Sequence, residues 1–366
     1  MYIYKDSPFA YSSENKNTSE EGVERMVDVT KLPKVDLHLH LDGSVKPETV
    51  VDLAEEAGVE LPGTDRDTLS RLMQVKGDCA SLQEYLSKFA FVGAFLHSPS
   101  ALQRIAFELV EQAAEQRCKY VEVRFGPQLH RNRGLSVEEV IQAVVEGLGR
   151  GEAAFGVKAR GIATCLRSHS DAQNREVIEA AAKFIGGGIV AVDLAGDEAS
   201  YPAERFADVF AIARRRDIPV TIHAGEAAGP KNIYDAVTKL GAVRIGHGVR
   251  LREDEEVYRF IRKRRIPLEM CPVSNIQTKA APAWHAYPIR DYFDRELHVT
   301  VNTDNLTVSD TNLGKEYAML QQHFDFRPEE IRRLVLNGVD AAFLSDGDKR
   351  ELRRAIEAEF ALLGIA

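Results

Sequence analysis

The chain has 366 residues, of which 44% are hydrophobic, and its formal net charge is −9. A surface that binds nucleic acids without sequence preference needs clustered lysine and arginine, so this acidic balance disfavours one. No apolar run approaches the ~18 residues of a membrane span. The four cysteines show no paired spacing, which disfavours a disulfide framework or a thiolate metal site. We therefore expect a cytoplasmic protein with no nucleic-acid and no membrane partner.

The first 27 residues are polar and lack the basic start and apolar centre of a signal peptide. We expect residues 1–27 to form a flexible extension and residues 28–366 to form a single domain.

Eight apolar, β-branched runs follow and predict parallel strands buried on both faces. They cover residues 35–41, 120–125, 159–166, 189–194, 219–223, 243–246, 267–271 and 298–302. Helical patterns separate them, including residues 101–117, 137–155, 171–184, 203–216 and 254–264. This alternation predicts one closed (β/α)8 TIM barrel. The alternative is an open doubly wound sheet, but the first strand is not followed by the glycine-rich phosphate turn of a dinucleotide site.

The connection after the first strand is unusually long, which predicts a helical insertion at about residues 48–98. Leu82, Tyr85, Leu86 and Phe89 fall at i, i+3, i+4 and i+7, so they form one apolar helix face. The insertion follows the carboxyl end of the first strand, which is the catalytic side of a barrel. The pattern alone allows two interpretations: a helix packed against the rim, or a hydrophobic lid.

Polar residues end four of the predicted strands. His38 and His40 lie two apart on the first strand, so their imidazoles face the same side. His223 ends the fifth strand, His247 the sixth and Asp304 the eighth. A lone histidine at a strand end is ordinary, but the carboxyl ends of barrel strands meet at one rim. Their coincidence predicts a metal site.

Three imidazoles and a carboxylate suit a divalent ion of borderline softness, with zinc the first choice. Such an ion lowers the pKa of a bound water and supplies hydroxide. A two-metal site would need a bridging ligand, often a modified lysine, after the fourth strand, and residues 193–198 contain no lysine. We therefore expect one ion. Glu226 lies three residues beyond His223 and could deliver a proton to a ring nitrogen, although a glutamate there could equally stabilise a helix start.

Several motifs together resemble the adenosine deaminase family and occur in that family's order. They are the segments 35–44, 193–198, 223–226, 246–248, 271–275 and 302–304. The resemblance extends from about Lys31 to the C-terminus. It implies zinc-dependent hydrolysis of adenosine to inosine and ammonia in purine salvage, and the same deamination of 2′-deoxyadenosine.

The resemblance also implies a role for each matched residue. Glu226 would protonate purine N1, His247 would orient the attacking hydroxide, and Asp304 would accept its proton. Gly196 would contact purine N3, and Asp42 the ribose 5′-hydroxyl. The implied ligands of a single Zn²⁺ are His38, His40, His223 and Asp304. The implied substrate-binding residues are His40, Asp42, Gly196, Asn305 and the lid residues Leu82, Tyr85, Leu86 and Phe89.

Asn305 departs from the family pattern, because many members carry an aspartate there that hydrogen-bonds purine N7. An asparagine amide donates at any pH, so the contact can survive. Relatives on this fold act on adenine, methylated AMP or aminodeoxyfutalosine, and these remain alternative substrates. Asp42 disfavours a nucleotide, because it would repel a 5′-phosphate. A barrel that only binds nucleosides is a further alternative, but it would need no proton donor such as Glu226. The sequence does not predict the oligomeric state.

Overall fold

The computed structural model describes residues 27–75, 79 and 82–365, without the side chains of residues 82–84 and 86. Apart from residue 27, the predicted N-terminal extension lies outside this part of the chain. The strands are β1 (Lys34–His40), β2 (Cys118–Phe125), β3 (Lys158–Leu166), β4 (Ile189–Ala195), β5 (Thr221–Ala224), β6 (Arg244–His247), β7 (Leu268–Met270) and β8 (Val299–Val301). Each begins and ends within two residues of a predicted run.

The strands pair in parallel in the orders β1-β2-β3-β4 and β5-β6-β7-β8. Two contacts join these halves. The Val192 amide donates to the Pro219 carbonyl at 3.0 Å, which links β4 to β5. Beyond β8, the Asp304 amide donates to the His38 carbonyl at 2.8 Å and closes the ring against β1. The (β/α)8 barrel predicted from the alternation is confirmed.

Helices surround the barrel. They are α1 (Pro47–Glu56), α2 (Arg66–Met73), α3 (Leu82–Gly93), α4 (Pro99–Glu115), α5 (Val137–Phe155), α6 (Asp171–Ala182), α7 (Ala207–Arg215), α8 (Pro230–Asp235), α9 (Glu255–Arg264), α10 (Pro272–Gln277), α11 (Ile289–Asp294), α12 (Leu313–Phe324), α13 (Pro328–Ala341) and α14 (Asp346–Leu362). Several of them, including α4, α5, α6 and α13, pack against the barrel strands. Local sequence explains their starts: at α5, for example, Ser136 and Glu139 form a reciprocal capping box. No helix in the described part of the chain is long and apolar enough to cross a membrane.

Three helices, α1 to α3, lie between β1 and α4, in the stretch predicted as an insertion. The described apolar side chains of α3 do not all join the main core. Tyr85 packs with Val75, Cys79 and Val308 in a separate small cluster, and Phe89 packs against it. The Val75 amide donates to the Val308 carbonyl at 2.8 Å. The insertion is thus attached to the loop that follows β8, at the same rim as the strand-end histidines.

Candidate active site

The barrel fold brings the predicted metal ligands together at the carboxyl ends of its strands. The nearest ligand atoms of His38, His40 and His223 all lie within 4.8 Å of one another. His40 Nε2 is 3.2 Å from His223 Nε2. One carboxylate oxygen of Asp304 lies 3.3 Å from His40 Nε2 and 3.5 Å from His38 Nε2. Three imidazoles and one carboxylate therefore point at a common position.

Two buried carboxylates set the orientation of these imidazoles. His38 Nδ1 is 2.8 Å from Glu269 Oε2, and His223 Nδ1 is 3.0 Å from Asp193 Oδ2. Because a carboxylate accepts, each Nδ1 carries the hydrogen and each Nε2 lone pair faces the cluster, as in metal-bound histidines. His38 Nε2 is buried and has no hydrogen-bond partner among the described residues.

The protonation states also suit a metal centre. Burial holds the pKa of His40 well below its usual value. The charge of Asp304 opposes this shift, whereas the neighbouring imidazoles of His223 and His38 add to it. Burial alone would raise the pKa of Asp304, but the nearby histidines, His38 foremost and then His40 and His247, hold it well below its usual range. A neutral imidazole and an ionised carboxylate are the forms that bind a divalent cation. The residues present therefore fit the predicted ion.

An ion-pair network beneath the cluster fixes those two supporting carboxylates. Arg124 lies 3.3 Å from Asp193 and 2.7 Å from Glu269, so one guanidinium connects the supports of two histidines. Arg244 pairs with Glu269 from the other side. These side chains are fully buried. The sequence patterns did not predict this network. A charged residue within an otherwise apolar strand run, such as Arg124, is the feature that could have indicated it.

Cys271 is a further residue of the site that was not predicted from the sequence. Its Sγ lies within 4.8 Å of ligand atoms of His38, His247 and Asp304. Burial, and then the charge of Asp304, raises the pKa of the Cys271 thiol well above its usual value. Cys271 therefore lines the site as a buried thiol beside the predicted ligands.

Glu226 and His247 form the second half of the site. Glu226 Oε2 is 3.6 Å from His247 Nε2. The Asn275 amide donates to His247 Nδ1 at 2.9 Å, and the Tyr287 hydroxyl donates to Asn275 Oδ1 at 3.0 Å. With Nδ1 accepting, a neutral His247 carries its hydrogen on Nε2, towards Glu226. Burial, and then the charge of Asp304, raises the pKa of Glu226 to about 8, so its carboxyl group holds a proton at neutral pH.

The backbone at this rim is strained. His247 and Asp304 have φ values of +64° and +63°, a region that residues with a side chain rarely adopt. Such conformations cluster where a fold must aim a functional side chain. Each residue stands directly at or beyond the end of a strand, where the chain turns and directs its polar group into the site.

The structure places the other predicted substrate contacts at the same rim. Asp42 is buried in the turn after β1, and burial raises its pKa to about 6. Gly196 follows β4 and has a φ of +102°. Asn305 packs so closely on Gly43 that a Cβ there would lie 1.8 Å from Asn305 Oδ1. Of the predicted lid face, the side chains of Leu82 and Leu86 lie outside the described residues.

Tyr85 contributes more than the apolar surface predicted for it. Its hydroxyl accepts from the Asn305 amide at 2.8 Å and lies 2.7 Å from Ser309 Oγ. Ser274 Oγ is 3.4 Å from that hydroxyl and donates to Asp304 Oδ2 at 2.6 Å. Helix α3 is thereby connected by polar contacts to both Asp304 and Asn305, a link that an apolar periodicity could not reveal.

Comparison with known proteins identifies the family. The sequence matches the family model described as adenosine deaminase over residues 33–359. The chain belongs to the adenosine deaminase family. It is 40% identical over 330 residues to an adenosine deaminase of Clostridium perfringens, which covers 90% of this chain and 99% of that relative. The predicted resemblance is confirmed, and membership makes the chain a hydrolytic deaminase of a metal-dependent family.

Solved structures of related sequence have the same fold. An adenine deaminase of Arthrobacter aurescens superposes with a TM-score of 0.83 at 27% identity, covering 89% of this chain and 98% of that one. An amidohydrolase of Burkholderia ambifaria with bound zinc superposes with a TM-score of 0.83 at 25% identity, covering 94% of this chain and 96% of that one. The likeness extends over nearly the whole of each barrel.

Proposed function

We propose that this protein uses one zinc ion to hydrolyse adenosine to inosine and ammonia, and 2′-deoxyadenosine to 2′-deoxyinosine and ammonia. The observation that carries the proposal is the pairing of a protonated Glu226 with the cluster of three histidines and one aspartate. A proton donor beside a cation site is what hydrolysis at an aromatic ring carbon requires. The similarity to a clostridial adenosine deaminase at 40% identity supports the nucleoside as substrate.

Zinc is proposed from the donor set. His38, His40, His223 and Asp304 would hold it, because imidazole nitrogens and a carboxylate oxygen are donors that zinc accepts. When bound, the ion supplies hydroxide at neutral pH. The bound zinc in the Burkholderia relative supports the same metal here.

Three side chains around the ion would carry out the proton transfers and stabilise the attacking oxygen. Glu226 donates its proton to purine N1, which makes C6 electron-poor and open to attack. His247 Nε2–H donates to the oxygen that adds at C6, while the ionised Asp304 accepts the proton released by the attacking water. Water thus adds across the C6–N1 bond. The proton taken by Asp304 passes to the exocyclic amino group, the bond between C6 and that group breaks, and ammonia leaves. The C6 hydroxyl gives its proton to the Glu226 carboxylate, which forms the carbonyl and restores the acid. Asn275 keeps His247 in the tautomer that this step needs.

The remaining contacts orient the nucleoside. Gly196 would meet purine N3 through its backbone, and the Asn305 amide would donate to N7. Asp42, with its pKa near 6, is ionised at neutral pH and would accept from the ribose 5′-hydroxyl. The same charge opposes a 5′-phosphate. Adenosine is therefore favoured over AMP and its N6-methyl derivative.

The rest of the molecule fits this activity. We propose that residues 28–366 are one catalytic domain, in which α1–α3 act as a lid, because α3 packs in its own cluster above the site. Cys118, Cys165 and Cys271 are buried free thiols, which supports a cytoplasmic location. A place in purine salvage is proposed from the substrate and product alone.

The test is the loss of adenosine absorbance on adding metal-replete protein, beside adenine, 2′-deoxyadenosine and AMP. Turnover of adenosine is expected to exceed that of adenine and AMP by orders of magnitude. A second candidate function is deamination of adenine, which the likeness to the Arthrobacter enzyme supports at lower identity. Turnover of adenine with none of adenosine would replace the first proposal by the second.

A further inference from the structure

The loop after β5, which carries Glu226, is held by a single buried carboxylate. Four successive amide groups, those of residues 225–228, all donate to Glu198. Gly225 donates to Oε1 at 2.7 Å. Glu226, Ala227 and Ala228 donate to Oε2 at 3.0, 2.9 and 3.0 Å. Glu198 is only 2% exposed, so these hydrogen bonds do not compete with water.

The carbonyl groups of loop 225–228 also accept hydrogen bonds, from Arg250 on its other side. The Arg250 amide donates to the Gly225 carbonyl at 2.9 Å, and its guanidinium donates to the Ala227 carbonyl at 3.1 Å. Gly225 has a φ of +75°, and a Cβ there would lie 2.5 Å from Ile233. The loop therefore has one well-defined path, and Glu198 supplies the acceptors for all four of its consecutive amides.

Glu198 reaches this loop from the turn after β4. That turn also contains Gly196, two residues earlier, whose backbone is the proposed contact of purine N3. Segment 196–198 would thus contact the purine through the backbone of Gly196, while the Glu198 side chain binds loop 225–228, which carries Glu226. The charge of Glu198 contributes to the raised pKa of Glu226, after burial and Asp304.

We propose that Glu198 is a positioning residue for the deamination: its carboxylate orders loop 225–228 so that the Glu226 carboxyl group faces N1 of the bound purine. The residue does not touch the substrate and acts through Glu226. This inference rests on the proposed function, because it assumes that Glu226 is the acid.

The first experiment compares E198Q with D197N. Glutamine keeps the size of Glu198 but replaces one accepting oxygen with an amide that cannot accept. Asp197 is the neighbouring residue and accepts from Ser200 within its own turn, so D197N removes one charge without touching loop 225–228. We expect kcat/KM for adenosine to fall on the order of 10²-fold in E198Q, the cost of a displaced catalytic group. We expect less than threefold change in D197N.

Two further measurements separate positioning from general damage. Zinc content and melting temperature show whether E198Q retains its fold and metal. Hydrogen exchange followed by mass spectrometry reports on loop 225–228 directly, and its amides are expected to exchange faster in E198Q than in the wild type and D197N. If E198Q does not fold, E198D, which keeps the carboxylate on a shorter stem, takes its place with a smaller expected loss.

The decisive test is a double-mutant cycle with E226Q. If Glu198 acts through Glu226, E198Q lowers kcat/KM in the wild type but changes it by less than threefold in the E226Q background. Equal losses in both backgrounds would overturn the proposal, as would unchanged exchange of the loop amides. A wild type that does not deaminate adenosine refutes the proposed function instead, and the exchange measurement still tests the ordering of the loop.

Discussion

Glu226 is the residue whose replacement most directly tests the proposed chemistry. Glutamine in its place keeps the volume, and the backbone amide can still donate to Glu198. What disappears is the acidic proton, since a carboxamide does not protonate a ring nitrogen. The metal ligands are not altered, so the change isolates proton delivery from metal binding.

The structure allows the size of the effect to be worked out. With a pKa of about 8, roughly 90% of the Glu226 side chains hold a proton at pH 7. Nearly the whole wild-type population is therefore competent as an acid. Loss of a general acid typically costs 10²- to 10⁴-fold in rate, which corresponds to about 3 to 5 kcal/mol of transition-state stabilisation. We expect E226Q to lose kcat/KM within that range.

The pH dependence gives the same residue a second signature. The protonated form is the active one, so kcat/KM is expected to be flat near neutral pH and to fall about tenfold per unit once the pH exceeds about 8. E226Q, which has no carboxyl proton to lose, should lack this alkaline decline.

The assay is adenosine deamination across pH 6 to 10 (roughly the range in which the acid changes state), with zinc content measured on the same samples. Glu329 on α13 is exposed, and E329Q makes the same chemical change as a control without entering the site. Less than about tenfold loss in zinc-replete E226Q, or an alkaline decline that persists in it, would refute the assignment of Glu226 as the acid.

Three other results are expected. Glu269→Gln removes a charge from a fully buried network with Arg124, so we expect about 3 kcal/mol or more of lost stability in denaturant titrations; an unchanged midpoint would contradict the assigned support role. His38→Ala should lower zinc content below one equivalent and abolish turnover, while a chelator applied to the wild type should lower both activity and melting temperature, with recovery on adding zinc; activity that survives full metal removal would exclude the metal mechanism. Asn305→Asp should narrow the preference for adenosine over 7-deazaadenosine above neutral pH, because an ionised aspartate cannot donate to N7; an unchanged ratio would mean that N7 is not contacted there.

The sequence by itself determined the barrel and much of the composition of its rim. Strand burial leaves a clear pattern, because parallel strands covered on both faces are mostly apolar along their length. His38 and His40 stood out because imidazoles within such a strand are costly without a partner. Once eight strands were counted, barrel topology placed the ends of β1, β5 and β6 at the same rim, as the structure shows.

Only the tertiary structure revealed the residues that support that rim. Arg124 and Glu269 are far apart in sequence, and nothing local indicates that one guanidinium joins the partners of two histidines. The same holds for Glu198, whose four acceptor contacts depend on a turn from β4 meeting a loop from β5. The hydrogen bonds of the Tyr85 hydroxyl could also be seen only in the folded structure, since helical periodicity indicates only that a side chain faces inward. Sequence patterns report on burial along one element, whereas orientation and protonation depend on distances between elements that the folded chain alone supplies.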